Sequence, residues 1–480
     1  MSETVNENNL PTSFSDFALS ARAIKGITAL GYKEPTSIQI KATPALLKGL
    51  DIIGQSPTGS GKTVAFILPL LEKLNLENCV NQGLILCPTR ELCLQVVSEI
   101  KKLGRFYEGL QVTALIGGVP GREQAKVLEK GVHIVVATPG RLADHIDRHQ
   151  INLQPLIYVV LDEADKMLEM GFEKEVQYIM RSLPKKRQTL LFSATFQDNI
   201  QSLSQRYQNN PLHLKEEDTL SKLLSIKEYL YEVEMGKNPS DALQNKINTL
   251  SRVLHKHSKG TTIIFCNQKL MLAEIHKFLN KNDVNSAILS GDLEQRDRER
   301  VITFFRNGSI RILIATDVAA RGLDIEHIEL VINFDLPPQA ETYVHRIGRT
   351  GRAGREGVAV SIMNPGEDIK IIGIEKLTGR TMIRESLGFK NQHGLNSSFQ
   401  VAKMQTLHIS GGKKDKLRAA DILGSLTAQP DAIEAAEIGK IDIQDHYSFV
   451  AITSGQAERA FNKLRNSRIK GRKFSIKTVK

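Results

Sequence analysis

Two short stretches of this chain carry residues whose types and spacing could do chemistry. The first is Asp162-Glu163-Ala164-Asp165, which follows the apolar run Ile157-Tyr158-Val159-Val160-Leu161. A short apolar run bounded by polar residues reads as a strand buried on both faces of a parallel sheet. Its acids then emerge at the C-terminal end of the strand, where open α/β sheets bind ligands. Adjacent acids in such a crevice suit a magnesium–nucleotide site, one of Asp162 and Glu163 holding the metal's water shell and the other polarising an attacking water. A solvated helix start has the same composition, so this stretch decides nothing alone.

The second is Ser56-Pro57-Thr58-Gly59-Ser60-Gly61-Lys62-Thr63, between the strand-like Asp51–Gly54 and the helix-like Val64–Leu68. Gly59 and Gly61 let the backbone wrap until its N–H groups face phosphate oxygens. Lys62 would reach the β- and γ-phosphates, and the Thr63 hydroxyl would coordinate magnesium. Ser56 stands where the general phosphate-loop pattern has glycine, and a small residue serves there if the backbone avoids positive φ. The competing reading is a Gly/Ser turn that only caps a helix. A cradle upstream and paired acids downstream together favour nucleotide chemistry.

The elements that position these residues repeat. A chain of 480 residues is too long for one core, and roughly three domains are expected. Residues 1–210 and 225–384 share one grammar, a short apolar strand ending in a polar motif followed by an amphipathic helix. Both read as parallel α/β sheets with helices on their faces. Residues 211–224 and 385–403 read as linkers, and only the first sheet has a phosphate cradle. The polar, acidic first ten residues open no secretory signal, and no apolar run reaches a membrane span. Cys79, Cys87, Cys93 and Cys266 lack paired metal spacing and read as reduced, structural cysteines of a cytosolic protein. The net charge of +11 points to a polyanionic partner.

With these residues assembled, the chain resembles the DEAD-box ATP-dependent RNA helicases over nearly all of Phe14 to Met363. The resemblance implies two tandem RecA-like parallel-sheet domains, with ATP and magnesium as cofactors. Gly31–Gln39 looks like the family's Q motif; the Gln39 amide offers the donor and acceptor needed to read adenine. Phe14 sits where the family stacks an aromatic on the base, with Phe17 as the competing candidate and core packing open for both. Pro88–Leu92 with Thr89 and Arg90, Gly117-Gly118, and Thr138–Arg141 with Thr138 and Arg141 resemble the first-domain RNA motifs. Ser193-Ala194-Thr195 resembles the motif that couples ATP state to unwinding, although its hydroxyls would also cap a helix.

In the second domain, Thr316-Asp317 and the segment around Gly322 resemble a motif contacting RNA and ribose, with Asp317 toward the nucleotide. Gln295 and Arg298 look like a further RNA-contacting pair, and Gly291 follows Ser290 where the family usually has histidine. His345–Arg352 carries three arginines between glycines, poor core and good anion ligands. By resemblance Arg349 and Arg352 are arginine fingers for the γ-phosphate, and His345 bridges toward Asp162–Asp165.

Residues 404–480 hold 14 Lys/Arg against 8 Asp/Glu, so more than half of the net charge lies in about a sixth of the chain. Their pattern reads β-α-β-β-α-β, an α+β fold of RNA-recognition type. The usual aromatic platform is poorly matched, His408 and Phe449 being the nearest equivalents, so recognition would rest on basic loops. Lys413, Lys414 and Lys416 form one cluster; Arg468, Lys470 and Arg472 belong to another. These loops resemble the DbpA subfamily. That resemblance implies binding of a 23S ribosomal RNA hairpin and a role on large-subunit precursor particles; the cysteines and hydropathy point to the cytoplasm with no membrane partner, and the oligomeric state stays open, a monomer being favoured. Two other readings stay open: an ATP-gated RNA clamp, and a DNA helicase using the same chemistry.

Overall fold

The computed structural model describes residues 11–56, 60–196, 198–215, 225–258, 260–320, 328–351, 356–387 and 402–479. The expected Pro57, Thr58, Gly59, Gly322 and Arg352 lie outside them, as does the side chain of Gln295. The chain divides into two compact units, the first carrying one sheet and the second carrying two.

The first sheet consists of β1 (Ile52–Gln55), β2 (Gly83–Leu86), β3 (Val112–Leu115), β4 (Ile134–Ala137), β5 (Tyr158–Leu161), β6 (Gln188–Ser193) and β7 (Leu212–Lys215). Its order is β3-β4-β2-β5-β6-β1-β7, parallel throughout. Strands β2, β4 and β5 are buried along their whole length, as continuous apolar runs between two helical layers must be. Two apolar clusters, one on each face, follow from that sandwich. One linker expectation is corrected here. Leu212–Lys215 is an edge strand paired with β1 in the register Ile52↔Leu212, and Leu214 is buried. The Leu-His-Leu alternation is a half-buried edge pattern, and charged neighbours hide it.

The second unit opens with β8 (Ile226–Glu232), β9 (Thr262–Phe265), β10 (Ser286–Leu289), β11 (Ile312–Ala315), β12 (Leu330–Asn333), β13 (Gly357–Met363) and β14 (Ile383–Arg384). These also run parallel, in the order β10-β11-β9-β12-β13-β8-β14. Part of the expected second linker is tied down: the Glu385 carboxylate accepts from the Tyr231 hydroxyl at 2.7 Å, and Arg252 donates to the Leu387 carbonyl.

The third sheet is antiparallel, β16 (Ile438–Ile443), β17 (Ser448–Thr453), β15 (Met404–Ile409), β18 (Ile476–Thr478) in spatial order. Helices Ala419–Thr427 and Ala457–Asn466 cover one face, and Leu407, Ile409, Val450 and Ile452 point into the core between them. This is the expected β-α-β-β-α-β order. It is not an independent body, because it packs within the second compact unit.

Candidate active site

The sheet order brings the two chemical stretches together. β1 and β5 flank β6, so the phosphate-loop residues, the acids and Ser193-Ala194-Thr195 all leave the same edge from neighbouring strands. The Ser56 amide donates to the Ser193 carbonyl at 3.0 Å, tying the start of the loop to the tip of β6.

Lys62 opens the Lys62–Lys73 helix, is buried, and donates from Nζ to the Ser56 carbonyl at 2.9 Å. Its ammonium is thus folded inside its own loop. Ser56 and Ser60 share a 2.5 Å hydroxyl–hydroxyl bond. Gly61 has φ +94°, and a Cβ there would stand 2.6 Å from Gln39 Nε2 and 2.7 Å from Thr36 Oγ1, so only glycine fits. Gln39 is buried; its Nε2 donates to the Gly61 carbonyl at 3.0 Å and its Oε1 accepts from the Thr36 amide at 3.0 Å. Both halves of that amide therefore support the loop. Phe14 and Phe17 are both buried in the first-sheet core with ring centroids 6.0 Å apart, the core alternative that the sequence left open.

Asp162 and Glu163 are both buried at the end of β5. Burial pushes the Asp162 carboxyl up to about 6, the Lys62 ammonium draws it back down, and Glu163 raises it. The Asp162 Oδ1 accepts from the Glu163 amide at 3.0 Å. Glu163 has φ +51°, a left-handed conformation that a non-glycine residue holds at a cost of about 1–3 kcal/mol.

Asp165, for which the sequence suggests no role, joins the acids to the next strand. Its buried Oδ2 accepts from the Ala194 amide at 3.2 Å, the Thr195 amide at 3.2 Å and the Thr195 hydroxyl at 3.3 Å. Ser193 Oγ donates to the Thr195 carbonyl at 2.6 Å. The hydroxyls therefore organise a turn held by the last acid of the run. The signal was present: an unassigned acid three residues past Asp162 lands one helical turn on.

The expected RNA motifs leave the other half of the same edge, past β3, β4 and β2. Thr89 caps the Arg90–Leu103 helix, its hydroxyl accepting from the Leu92 amide at 3.3 Å. A Cβ on Gly117 would stand 2.8 Å from Arg90 Nη2, so that glycine admits the guanidinium. Gly118 has φ +79°, and Arg141 Nη1 donates to the Val119 carbonyl at 2.9 Å. Thr138 starts the Pro139–Asp147 helix. Thr89, Arg90, Gly117, Gly118, Thr138 and Arg141 are thus brought into one neighbourhood.

In the second unit one expectation needs correcting. Arg346 is no surface anion ligand: it is fully buried and stacked over Phe265 at 5.1 Å. Its Nε and Nη2 clamp the two Asp317 carboxylate oxygens at 2.7 and 2.8 Å. Nη1 also donates to Asn333 Oδ1 at 3.2 Å and the Asp335 carbonyl at 2.6 Å, and Nη2 to Asn267 Oδ1 at 2.8 Å. The planar fork suits this task, serving groups past β9, β11 and β12 at once. Asp317 is thereby held by a partner that sequence spacing could not show. Arg349 is buried beside it in sequence, while His345 is half-buried in the Ala340–Ile347 helix. Arg298 is also buried and donates from Nη2 to the Ala319 carbonyl at 2.8 Å, next to Thr316 and Asp317. Gly291 follows β10 at the same sheet edge, with open space where a Cβ would stand.

The two basic clusters of the third sheet meet. Lys470 Nζ donates to the Lys416 carbonyl at 2.9 Å, and Arg472 lies 3.8 Å from Asp415. Lys413, Lys414, Lys416, Arg468, Lys470 and Arg472 are all exposed. Lys416 and Lys470 take positive φ, of 59° and 51°.

A parallel sheet that pairs a phosphate loop with strand-end acids, followed by a second parallel sheet, defines an ATP-hydrolysing helicase core. Family profiles agree. "DEAD/DEAH box helicase" matches residues 36–203, "Helicase conserved C-terminal domain" residues 245–354 and "DbpA RNA binding domain" residues 406–478. The chain is 40% identical to ATP-dependent RNA helicase DbpA of Escherichia coli (strain K12), over 98% of this chain and 100% of that one. It is 37% identical to ATP-dependent RNA helicase DbpA of Bacillus subtilis (strain 168), over 96% and 98%. Among solved structures, Saccharomyces cerevisiae Dbp5 bound to RNA and ADP BeF3 is similar with a TM-score of 0.70 and 33% identity, over 78% of this chain and 96% of that one. The chain belongs to the DEAD-box RNA helicases, in the DbpA subfamily.

Proposed function

We propose that the chain is an RNA-stimulated ATPase that opens short duplexes locally in a 23S ribosomal RNA hairpin region, on precursors of the large ribosomal subunit in the cytosol. Residues 1–210 and 225–384 form its motor and residues 404–480 its RNA anchor. The observation that carries the reading is the joined edge of β1, β6 and β5, where Lys62, Asp162 and the Asp165-held turn at Thr195 converge. Among the described residues no cluster of three or more His, Cys, Asp or Glu could hold a metal by itself. One buried carboxylate under the influence of Lys62, with the Thr63 hydroxyl next along the helix start, fits magnesium, which keeps waters and phosphate oxygens in its shell.

Asp162 and Thr63 are the residues that would hold that magnesium, which when bound to ATP neutralises charge developing on the phosphates. Asp162 needs a nearby cation to stay ionised in its buried setting. Lys62 exchanges the Ser56 carbonyl for phosphate oxygens, with Ser56 to Gly61 supplying backbone donors. Glu163 orients and deprotonates the attacking water, in line with its fixed left-handed backbone. Arg349 and Arg352 would act as arginine fingers, and His345 would bridge toward the acidic run. Asp317, held by Arg346, meets the ribose, while Gln39 and one of Phe14 and Phe17 meet the adenine. Thr89, Arg90, Gly117, Gly118, Thr138, Arg141, Gly291, Gln295, Arg298, Thr316 and Gly322 grip sugar and phosphate; Ser193 and Thr195 relay nucleotide state to them.

The test is ATPase and strand separation with matched substrates: the ribosomal hairpin, a scrambled RNA of equal length, and the DNA equivalent. Turnover and unwinding stimulated most by the hairpin are expected. Equal stimulation by DNA would replace the proposal with a DNA helicase, and hairpin-stimulated turnover without strand separation would replace it with an ATP-gated clamp. Among the described residues no helix is long and apolar enough to cross a membrane.

A further inference from the structure

The Pro139–Asp147 helix carries a titratable side chain that the mechanism above leaves unused. His145 is fully buried, and both of its ring nitrogens face side-chain amides. Nε2 lies 3.2 Å from Gln124 Oε1, and Nδ1 lies 2.8 Å from Gln150 Oε1. Gln124 is itself buried, and its Nε2 donates to the Ile116 carbonyl at 2.8 Å. The nitrogen of that amide is therefore committed, and its oxygen is the end left to face His145. An oxygen accepts, so the ring proton belongs on Nε2. Burial pushes the His145 pKa down, and the Arg141 and Arg148 guanidiniums add to this against the Gln150 bond and the Asp144 carboxylate. The ring is thus neutral near pH 7 and has one proton to give. Gln150 is half-buried, and its amide satisfies the bare Nδ1 by turning its nitrogen inward.

This path of bonds ends on a turn with a proposed role. Ile116 precedes Gly117-Gly118 and Val119 follows them. Arg141 lies one helical turn before His145, on the same face of the helix, and its Nη1 donates to the Val119 carbonyl at 2.9 Å. One helix therefore holds the turn at both ends, at Val119 directly and at Ile116 through Gln124. Between the two clamps stand Gly117, which admits the Arg90 guanidinium, and Gly118, whose φ is +79°. Glycine loses more conformational freedom on ordering than any other residue, so a turn with two of them keeps one shape only if its flanks are fixed. The helix starts after Thr138, so the clamps also set the distance from the turn to the Thr138–Arg141 stretch.

We propose that His145 is a positioning residue for RNA binding, which locks the Ile116 end of the Gly117-Gly118 turn, through Gln124, onto the helix that carries Arg141. The two stretches then meet the RNA backbone at a fixed spacing. This deepens the proposed function and rests on it for the RNA roles of Gly117, Gly118, Thr138 and Arg141. Being fully buried, His145 acts on RNA only through the shape of the turn. A turn already shaped binds a strand without first giving up its own freedom, and that saving appears as affinity.

The experiment uses the full-length chain in four variants. His145→Leu keeps apolar bulk and removes the donor, and His145→Gln restores an amide nitrogen near the place of Nε2. Gln124→Leu breaks the second link, and the fourth variant combines it with His145→Leu. Order parameters of Gly117 and Gly118, from ¹⁵N relaxation on glycine-labelled protein without RNA, should fall in His145→Leu from about 0.85 to below about 0.6. Affinity for an unstructured RNA oligomer, read by fluorescence anisotropy with ADP–beryllium fluoride present, should fall about tenfold, the size of one lost buried hydrogen bond. His145→Gln should recover most of both losses. Affinity for the ribosomal hairpin, carried by the C-terminal loops, and basal ATP turnover should stay at parental values, whereas a general loss of the first-sheet fold would lower the turnover. Because the two side chains form one path, the double variant should bind the oligomer no more weakly than Gln124→Leu alone; independent roles would multiply the losses.

Unchanged order parameters in His145→Leu would overturn the clamp. A loosened turn with oligomer affinity unchanged would overturn the positioning role, and multiplied losses in the double variant would overturn the path through Gln124. Arg141→Ala checks the underlying reading separately. If it binds the oligomer as tightly as the parent, the stretch is no RNA contact and the proposal falls with that reading, whatever the glycine relaxation shows.

Discussion

Replacing Arg346 by methionine removes the guanidinium and keeps a side chain of similar length and apolar volume. In the native protein that group holds both oxygens of Asp317, two side-chain oxygens and one backbone carbonyl. Breaking one side of a buried ion pair costs about 3–5 kcal/mol, because the surviving charge loses its partner. Asp317 retains 22% side-chain exposure, so water recovers part of that loss and the lower end, about 3 kcal/mol, applies. For a domain of this size the midpoint should drop by about 6–12 °C. The chain has no tryptophan, so a single Tyr229→Trp in β8 reports unfolding of this unit alone. Guanidinium titrations of the Trp-labelled protein, with and without the Arg346→Met substitution, give the difference directly. Arg346→Lys should recover under half of it, since one ammonium cannot serve Asp317, Asn267 and the Asp335 carbonyl together. If Arg346→Met unfolds within about 1 kcal/mol of its parent, the guanidinium is not the joint holding β9, β11 and β12, and the argument fails.

Three further outcomes are expected. Glu163→Gln should keep ATP and RNA binding but lower turnover about 10²–10⁴-fold, the usual loss of general-base assistance, checked by phosphate release and nucleotide titration. Arg349→Ala and Arg352→Ala should each slow RNA-stimulated hydrolysis about 10³–10⁵-fold with little change in nucleotide affinity without RNA; unchanged turnover in both removes the finger role. Neutralising Lys413, Lys414 and Lys416 should weaken hairpin binding and flatten the log–log salt dependence by about 0.7–0.9 per lost phosphate contact, read from affinities at several salt concentrations.

What the sequence made legible was the part set by local pattern. Apolar runs such as Val159-Val160-Leu161 have to be buried strands, and Gly61-Lys62-Thr63 at a strand-to-helix junction leaves few other uses. The β-α-β-β-α-β order of the C-terminal module was likewise visible in its alternation. What stayed hidden depends on which strands become neighbours. Asp165 meets Thr195 only because β6 lies beside β5, and Arg346 reaches Asn267 across a separation of 79 residues. The glycine-flanked arginines around Arg346 look alike in sequence, and burial alone separates the internal one. β7 escaped notice because four residues with one buried side chain carry little periodicity.

The first sheet's edge has a seam between β2 and β5. Triphosphate chemistry leaves on one side of it, past β5, β6 and β1, and the backbone-gripping loops leave on the other, past β3, β4 and β2. Those loops are short and brace one another: Arg141 donates to the Val119 carbonyl of the neighbouring loop, and Gly117 admits the Arg90 guanidinium. They can therefore be exchanged as a set while the hydrolytic half is left alone. A library confined to the turns around residues 88–91, 117–119 and 138–141 would therefore sample new polymer preferences on an unaltered engine, with basal ATP turnover as the control that the seam has been respected.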